Sequence, residues 1–314
     1  MSLLSTLLDR AERSDRRAKG GVRVLDLFSG IGGFTMGAER VGCSVVGVER
    51  WEPAVTTARA NGHRVVAMDV ARITAKGPLS GPFDLLIGGP PCQPFSQAGP
   101  GRGRHDPRDG FSLAFRVARL FRPKRFVMEN VKGLMSKRHE PYRRRLIRDL
   151  GNLYPHVGIW SLNAKFWGVP QERVRVFVWG AERKMLPPSP THGPGTGRAF
   201  VSVRDALPRL GAKAVIARNT MAKSRSIDLV GPTVTGTGVL YTAPRPGLVY
   251  GRDREAKTGR RVTVREFEAL QCFPPSYELI GDSRERYKMI ANAVPPPLGA
   301  AVVGAMIDRA MMAR

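Results

Sequence analysis

From residue 22 onward the chain alternates between two kinds of stretch. Short, almost unbroken apolar runs occur at Val22–Phe28 (VRVLDLF), Ser44–Glu49, Arg64–Asp69, Phe83–Gly89, Arg125–Val131 and Val174–Gly180. Between them, at Phe34–Val41, Pro53–Asn61, Leu113–Phe121 and Tyr142–Leu150, apolar positions recur every three or four residues. A strand apolar on both faces is one buried in a parallel sheet, and the longer period is that of a helix packing one face. Strand–helix alternation at this spacing predicts an α/β fold, a doubly wound sheet with ligands at the carboxyl ends of its strands.

The pattern breaks after Ala181. The segment MLPPSPTHGPGTG reads as a linker, and from there to Arg261 there is no long helical period, only β-branched pieces such as Val230–Val239 and Leu248–Tyr250. A helical pattern returns in REFEALQCF after Val264, and a last apolar helix is expected over Pro297–Met312. The expected organisation is therefore one domain built from 1–180 and 262–314, carrying a smaller, mostly β or irregular domain at 181–261.

Composition narrows the class. With 314 residues, 42% hydrophobic and 25 prolines, the chain is globular. No apolar run approaches the roughly 18 residues of a membrane span, and the N-terminus lacks a signal-peptide core. Three cysteines, none at metal-ligand spacing, point to a reducing, cytoplasmic setting without a structural metal. Charge changes the picture most. There are 51 Lys+Arg against 26 Asp+Glu, formally +25, which suits a polyanionic partner such as nucleic acid. Forty of the 51 are arginine, which a GC-rich genome would also produce. Segment 181–261, however, holds 15 basic and 5 acidic residues, about twice the net charge density of the rest, and codon bias acts evenly.

Candidate chemistry gathers at strand ends. After the first strand comes Asp26-Leu27-Phe28-Ser29-Gly30-Ile31-Gly32-Gly33, a glycine turn that lets backbone amides approach a ligand. Glu49 ends the second strand, where a carboxylate can hold ribose hydroxyls, and Asp69 ends the third. Together they favour an adenosine-containing cofactor, with nicotinamide and S-adenosylmethionine enzymes both open at this point. The fourth strand runs into Gly88-Gly89-Pro90-Pro91-Cys92-Gln93-Pro94, a rigid loop that sets Cys92 at the sheet edge as a candidate nucleophile. The dozen residues Gln97–Arg108 (QAGPGRGRHDPR) have the make-up of a mobile basic flap. Cys43 and Cys272 read as small buried hydrophobes.

These motifs together resemble the DNA (cytosine-5) methyltransferase family. The resemblance is carried in order by DLFSGIGGF, GGPPCQPFS, Glu129-Asn130-Val131, Gln171-Glu172-Arg173-Val174-Arg175 and Ala291-Asn292-Ala293-Val294-Pro295. It covers all but the first 20 residues and the 181–261 segment.

The resemblance implies a class I, Rossmann-like mixed sheet with 181–261 as target recognition domain. The implied reaction takes a methyl group from S-adenosylmethionine to carbon 5 of a cytosine flipped out of duplex DNA, through a covalent adduct with Cys92. Glu129 matches the residue that contacts ring nitrogen 3 and the exocyclic amine. Arg173 and Arg175, two apart and so expected on one face of a strand, match the pair that fixes the base and braces the glutamate. Cofactor contacts carry over to Phe28, Gly30, Ile31, Gly33, Glu49, Asp69, Val70, Pro91 and Asn292, with Leu113 a weaker match. DNA contacts are implied at Gln93, Ser96, Arg102, Arg104, Gln171, Thr233 and Thr235. The sequence departs from the family at the residue after the ribose-binding acid, often aromatic or aliphatic, where Arg50 stands with Trp51 behind it. A monomer, a cognate restriction endonuclease and a nucleoid-associated cytoplasmic location complete the expectation. A tRNA-cytosine methyltransferase would share the Pro-Pro-Cys-Gln loop, but the separately basic target segment leans toward DNA. A non-catalytic DNA-binding relative would be expected to lose Cys92 or Glu129, and a nicotinamide dehydrogenase explains neither.

Overall fold

The structure is a computed structural model that describes residues 21–79, 81–91, 109–217, 223–234, 240–249 and 252–307. The chain divides into two compact units. The first comprises residues up to Ser161, Arg175–Pro188 and the chain from Gly299 on; the second comprises Leu162–Val174 and Ser189–Leu298.

The first unit is built on a seven-stranded sheet. Its strands are β1 (Arg23–Leu27), β2 (Ser44–Glu49), β3 (Val65–Ala67), β4 (Leu85–Gly88), β5 (Arg125–Val131), β6 (His156–Asn163) and β7 (Val174–Ala181), the last two continuing by a residue or two into the second unit. Their order is β3-β2-β1-β4-β5-β7-β6. The first five are parallel to their neighbours, whereas β7 runs antiparallel to β5. Connecting helices are α1 (Gly33–Arg40), α2 (Glu52–Ala60), α3 (Gly110–Phe121) and α4 (Glu140–Gly151). All six strands expected from the apolar runs are present: β1, β3 and β4 are shorter at their ends, β2 and β5 have the expected bounds, and β7 runs one residue further. Strand β6 has no such run: it lies at the sheet's edge, where only Trp160 and Leu162 are fully buried.

One apolar core, including Leu25, Leu27, Val48, Leu86, Phe111, Phe115, Phe126, Met128, Val176 and Val178, lies under α3 and α4. Strand β5 is bolted at its start by Arg125, which is 1% exposed and donates to Met306 O and to Glu182 Oε1. The last helix covers Pro296–Met306. The stretch Ser283–Met306 has the length and composition of a membrane span, yet its most apolar window is 61% buried and it is two helices, broken at 293–295.

The second unit is drawn wider than the expected 181–261, because 162–174 and 262–298 are tied into it. It contains a small sheet of Arg225–Ser226, Ala214–Ala217 and Leu240–Ala243, a parallel pairing of Gly231–Pro232 with Gln171–Glu172, and helices Val264–Leu270 and Ser283–Asn292. Both helices start with capping boxes, Thr263 with Glu266 and Asp282 with Glu285.

Candidate active site

The turn after β1 winds through three left-handed residues, Phe28 (φ 55°), Gly30 (φ 56°) and Gly32 (φ 84°). Glycine takes that conformation freely, but a phenylalanine is held there at a cost of about 1–2 kcal/mol, which marks a turn whose shape matters. A Cβ on Gly30 would meet nothing within 4 Å, so the turn faces open space. The amide of Gly30 donates to Glu49 Oε2 at 3.0 Å, and the amides of Arg50 and Trp51 donate to Glu49 Oε1 at 2.8 Å each. Three backbone donors thus fix the carboxylate at the end of β2. Ile31 and Val70 are buried beside it, and Gly33 opens α1.

Asp69 caps a short turn by accepting from Ala71 N at 2.9 Å and also takes Arg50 Nη1 at 2.8 Å. The Ala71 amide, and Arg50 after it, hold its carboxyl below the usual range. Arg50, the residue after Glu49, therefore reaches across to Asp69 at the end of the third strand, while Trp51 serves as the N-cap of α2. On the other side, a Cβ on Gly110 would lie 2.6 Å from Pro90 Cβ and 3.3 Å from Phe28 Cζ. Phe28, Pro90 and the start of α3 pack with no room for a methyl group. Pro91 is exposed, and Leu113 is half-buried against the core.

Under this turn lies Asp26, fully buried. Thr35 Oγ1 donates to its Oδ2 at 2.7 Å, while Oδ1 has no hydrogen-bond partner among the described residues. Burial pushes its carboxyl up to about 7, against the pull of the Thr35 hydroxyl.

The chemistry-bearing edge is formed by β4, β5 and β7. Because β7 is antiparallel, its amino end lies beside the carboxyl end of β5, with Arg175 opposite Val131. Arg175 Nε meets Glu129 Oε1 at 2.9 Å, with side chains only 12% and 11% exposed. Arg175 thus reaches the site from a strand's amino end rather than the carboxyl end expected of every candidate. The next residue, Asn130, donates its side-chain amide to Pro90 O at 3.3 Å, and a Cβ on Gly89 would be 3.7 Å from Glu129 Oε2. The strand that presents Glu129 therefore also holds the loop two residues before Cys92. Cys92 itself, with Gln93, Ser96, Arg102, Arg104 and Thr235, lies outside the described residues.

Arg173 does not share a strand face with Arg175. It sits between Gln171–Glu172 and β7, outside either strand, and belongs to the second unit. It is 1% exposed and donates to the carbonyls of Val234 (2.9 Å), Ala291 (2.7 Å) and Ala293 (3.0 Å). Gln171 is likewise buried. Its amide donates to Leu270 O and to Gln271 Oε1, and its oxygen accepts from Val234 N at 3.0 Å. Both side chains are buried in this arrangement, held by backbone carbonyls, by the Val234 amide and, for Gln171, by the Gln271 side chain. Thr233 donates to Glu172 O, and Asn292 is the exposed last residue of its helix, between the two carbonyls Arg173 holds. Gln271, which bridges Gln171 to Ala293 O at 2.7 Å, was not singled out by the sequence pattern.

Comparison with known proteins settles what this arrangement belongs to. Residues 22–194 and 200–308 match the C-5 cytosine-specific DNA methylase family. The chain belongs to that family. It is 33% identical to the Type II methyltransferase M.AplI of Arthrospira platensis, across 89% of this chain and 84% of that protein. It is 32% identical to the Type II methyltransferase M.NgoMIV of Neisseria gonorrhoeae, across 91% and 97%. Among solved structures, the Entamoeba histolytica methyltransferase EhMeth shares the fold with a TM-score of 0.69 at 17% identity, covering 91% of this chain and 98% of that one. A prophage-encoded DNA modification methyltransferase of E. coli gives 0.65 at 20% identity, covering 91% and 98%. The chain is therefore a DNA methyltransferase, on an α/β sheet of mostly parallel strands. C-5 cytosine-specific DNA methylases use S-adenosylmethionine, and the donor set fits such a cofactor: an open glycine turn, a carboxylate fixed at the end of β2 and a second one at the end of β3.

Proposed function

We propose that the protein methylates carbon 5 of a cytosine within a short duplex sequence, with Cys92 as nucleophile and Glu129 and Arg175 as the groups that hold the base. The observation that carries this reading is the buried Glu129–Arg175 pair on a strand whose Asn130 grips the Cys92 loop. Attack of the Cys92 thiolate on carbon 6 forms a C–S bond and drives electron density toward nitrogen 3 and carbon 5. Glu129 eases the charge at nitrogen 3, and Arg175 fixes the glutamate's rotamer and its charge. Once carbon 5 carries the methyl group, loss of its proton to a base lets the C–S bond break and frees the Cys92 thiolate. S-adenosylmethionine supplies the electrophilic methyl group; Glu49 would hold its ribose, with Phe28, Gly30, Ile31, Gly33, Asp69, Val70, Pro91 and Asn292 as further contacts. Arg50, bridging to Asp69, and Trp51 behind it occupy the place where the family often has an aromatic or aliphatic residue.

In this reading Arg173 is a positioning residue: it ties the Gln-x-Arg stretch to Val234 and to the carbonyls flanking Asn292. Segment 181–261 reads the target, with Thr233 and Thr235 near its reading edge, while Gln93, Ser96, Arg102 and Arg104 meet the DNA around the flipped base. The protein acts as a monomer on nucleoid DNA in the cytoplasm and has a cognate restriction endonuclease. Purified protein with labelled S-adenosylmethionine should label duplex DNA and leave tRNA unlabelled, and bisulfite sequencing of the product should return one short site. Labelling of tRNA alone would overturn the reading. A second check is a denaturant-stable adduct with DNA bearing 5-fluorocytosine at that site, where proton loss is blocked.

A further inference from the structure

Immediately after Glu129-Asn130-Val131, residues 132–148 hold seven lysines and arginines and one acid, Glu140, a higher net charge density than that of 181–261. The structure sorts these seven cations into three kinds. Arg143 is internal scaffolding: its Nη1 donates to Leu134 O at 2.8 Å and Ser136 O at 2.7 Å, fixing the turn that follows β5. Arg144, Arg145 and Arg148, all on α4, are each ion-paired: Arg144 to Glu140, and Arg145 and Arg148 to Asp149, with Asp109 also 3.7 Å from Arg145. Lys132, Lys137 and Arg138 are exposed, and none is ion-paired to a carboxylate among the described residues. Arg138 is nevertheless placed: its Nε donates to Nε2 of the buried His139 at 2.9 Å. Burial, with Arg138 and Arg143 close by, holds His139 below its usual pKa, so that it remains an acceptor.

We propose that Lys132, Lys137 and Arg138 form a sequence-independent phosphate grip, a contact with the DNA backbone separate from the target-reading segment. A clamped turn carrying three uncompensated cations suits a regularly spaced polyanion, and it begins one residue after the strand that presents Glu129. Lys132, Lys137 and Arg138 follow Glu129 by three, eight and nine residues, so the chain keeps all three within about 30 Å of the residue that meets the cytosine. Fixing the turn beforehand spares the ordering cost that flexible lysines would add on binding.

The inference rests on the DNA reading above, and the test separates the two. Binding of a random-sequence 30-base-pair duplex is measured against salt for wild type and for the triple variant Lys132→Gln/Lys137→Gln/Arg138→Gln. The slope of log K on log salt should become shallower by about 2–3, close to 0.9 for each phosphate the variant can no longer neutralise. Base preference on the methylated site should be unchanged. An Arg144→Gln/Arg148→Gln variant, which removes two already paired cations, should alter the slope by less than about 1. Equal slopes for wild type and triple variant overturn the grip, as does an equal effect per charge from the α4 variant. A slope that changes only on folded tRNA overturns it too. Wild-type methylation of duplex DNA reports independently on the DNA reading, and thermal melts show that the variants are folded.

Discussion

Arg173 and Arg175 stand two residues apart in one motif, and the two compact units use them for different ends. In the first unit, Arg175 directs its charge to Glu129, at the edge where the Cys92 loop is held. In the second, Arg173 reaches three backbone carbonyls, on Val234, Ala291 and Ala293, within a web that also contains Gln171 and Gln271. The first unit also buries Asp26 with one oxygen unpartnered among the described residues, directly under its glycine turn. Around the glycine turn and Glu129, polar burial in the first unit is thus placed where ligands and chemistry are expected, at some cost in stability. In the web of the second unit, polar burial joins three chain segments that sequence places far apart.

The largest effect should come from Cys92→Ser, which is expected to lower methyl transfer by at least about 1,000-fold while a gel shift shows DNA still bound. Near wild-type turnover in that variant would remove the nucleophile from the first unit. Next is Glu129→Gln, expected to lower kcat by about 100- to 10,000-fold with S-adenosylhomocysteine binding intact. Arg173→Lys sharpens the contrast, since a lysine cannot span three carbonyls as a guanidinium fork does. It should cost about 2–3 kcal/mol and several degrees in Tm, with turnover per folded molecule largely kept at low temperature. A variant that melts like wild type but is inactive would show that the two arginines share one job.

Asp26→Asn tests the uncompensated burial. The folded carboxyl sits at about 7 against an ordinary 3.8, so its contribution to stability is full below pH 4 and is lost as pH rises through 7. The variant should therefore melt above wild type at pH 8, with the gap closing by about pH 4. A gap that does not vary with pH would locate the shift elsewhere. The smallest effect is expected from Arg50→Ala. Its ion pair with Asp69 is exposed and worth less than about 1 kcal/mol to folding, so calorimetry should register a change of only several-fold in S-adenosylhomocysteine affinity.

Strands buried on both faces announce themselves as apolar runs, which is why β1, β2, β4, β5 and β7 are legible from residues 22–180. Strand β3, at the edge opposite β6 and only partly buried, is legible through its short Val-Val-Ala run. Strand β6 is not, because an edge strand needs only part of its surface apolar. The glycine turn, Glu49, Asp69, Cys92 and Glu129 are legible for a related reason: each is a chemically committed residue at the end of a readable strand. Gln271 and the double duty of Asn130 are not, since a buried amide looks in sequence like any surface amide. The equivalence of Arg173 and Arg175 fails because a period-2 argument needs an unbroken strand, and the chain leaves strand geometry at 173.

The α/β class, the order of the motifs, the surplus of positive charge and the residue types that the chemistry requires all follow from the amino-acid sequence alone. Local pattern suffices for these, because they depend on what each segment must bury and on which atoms can react. Three-dimensional packing was needed to choose which arginine meets the glutamate and to fold 162–174 and 262–298 with the basic segment. Those outcomes rest on contacts between residues 46 to 120 positions apart, whose partners no local pattern specifies.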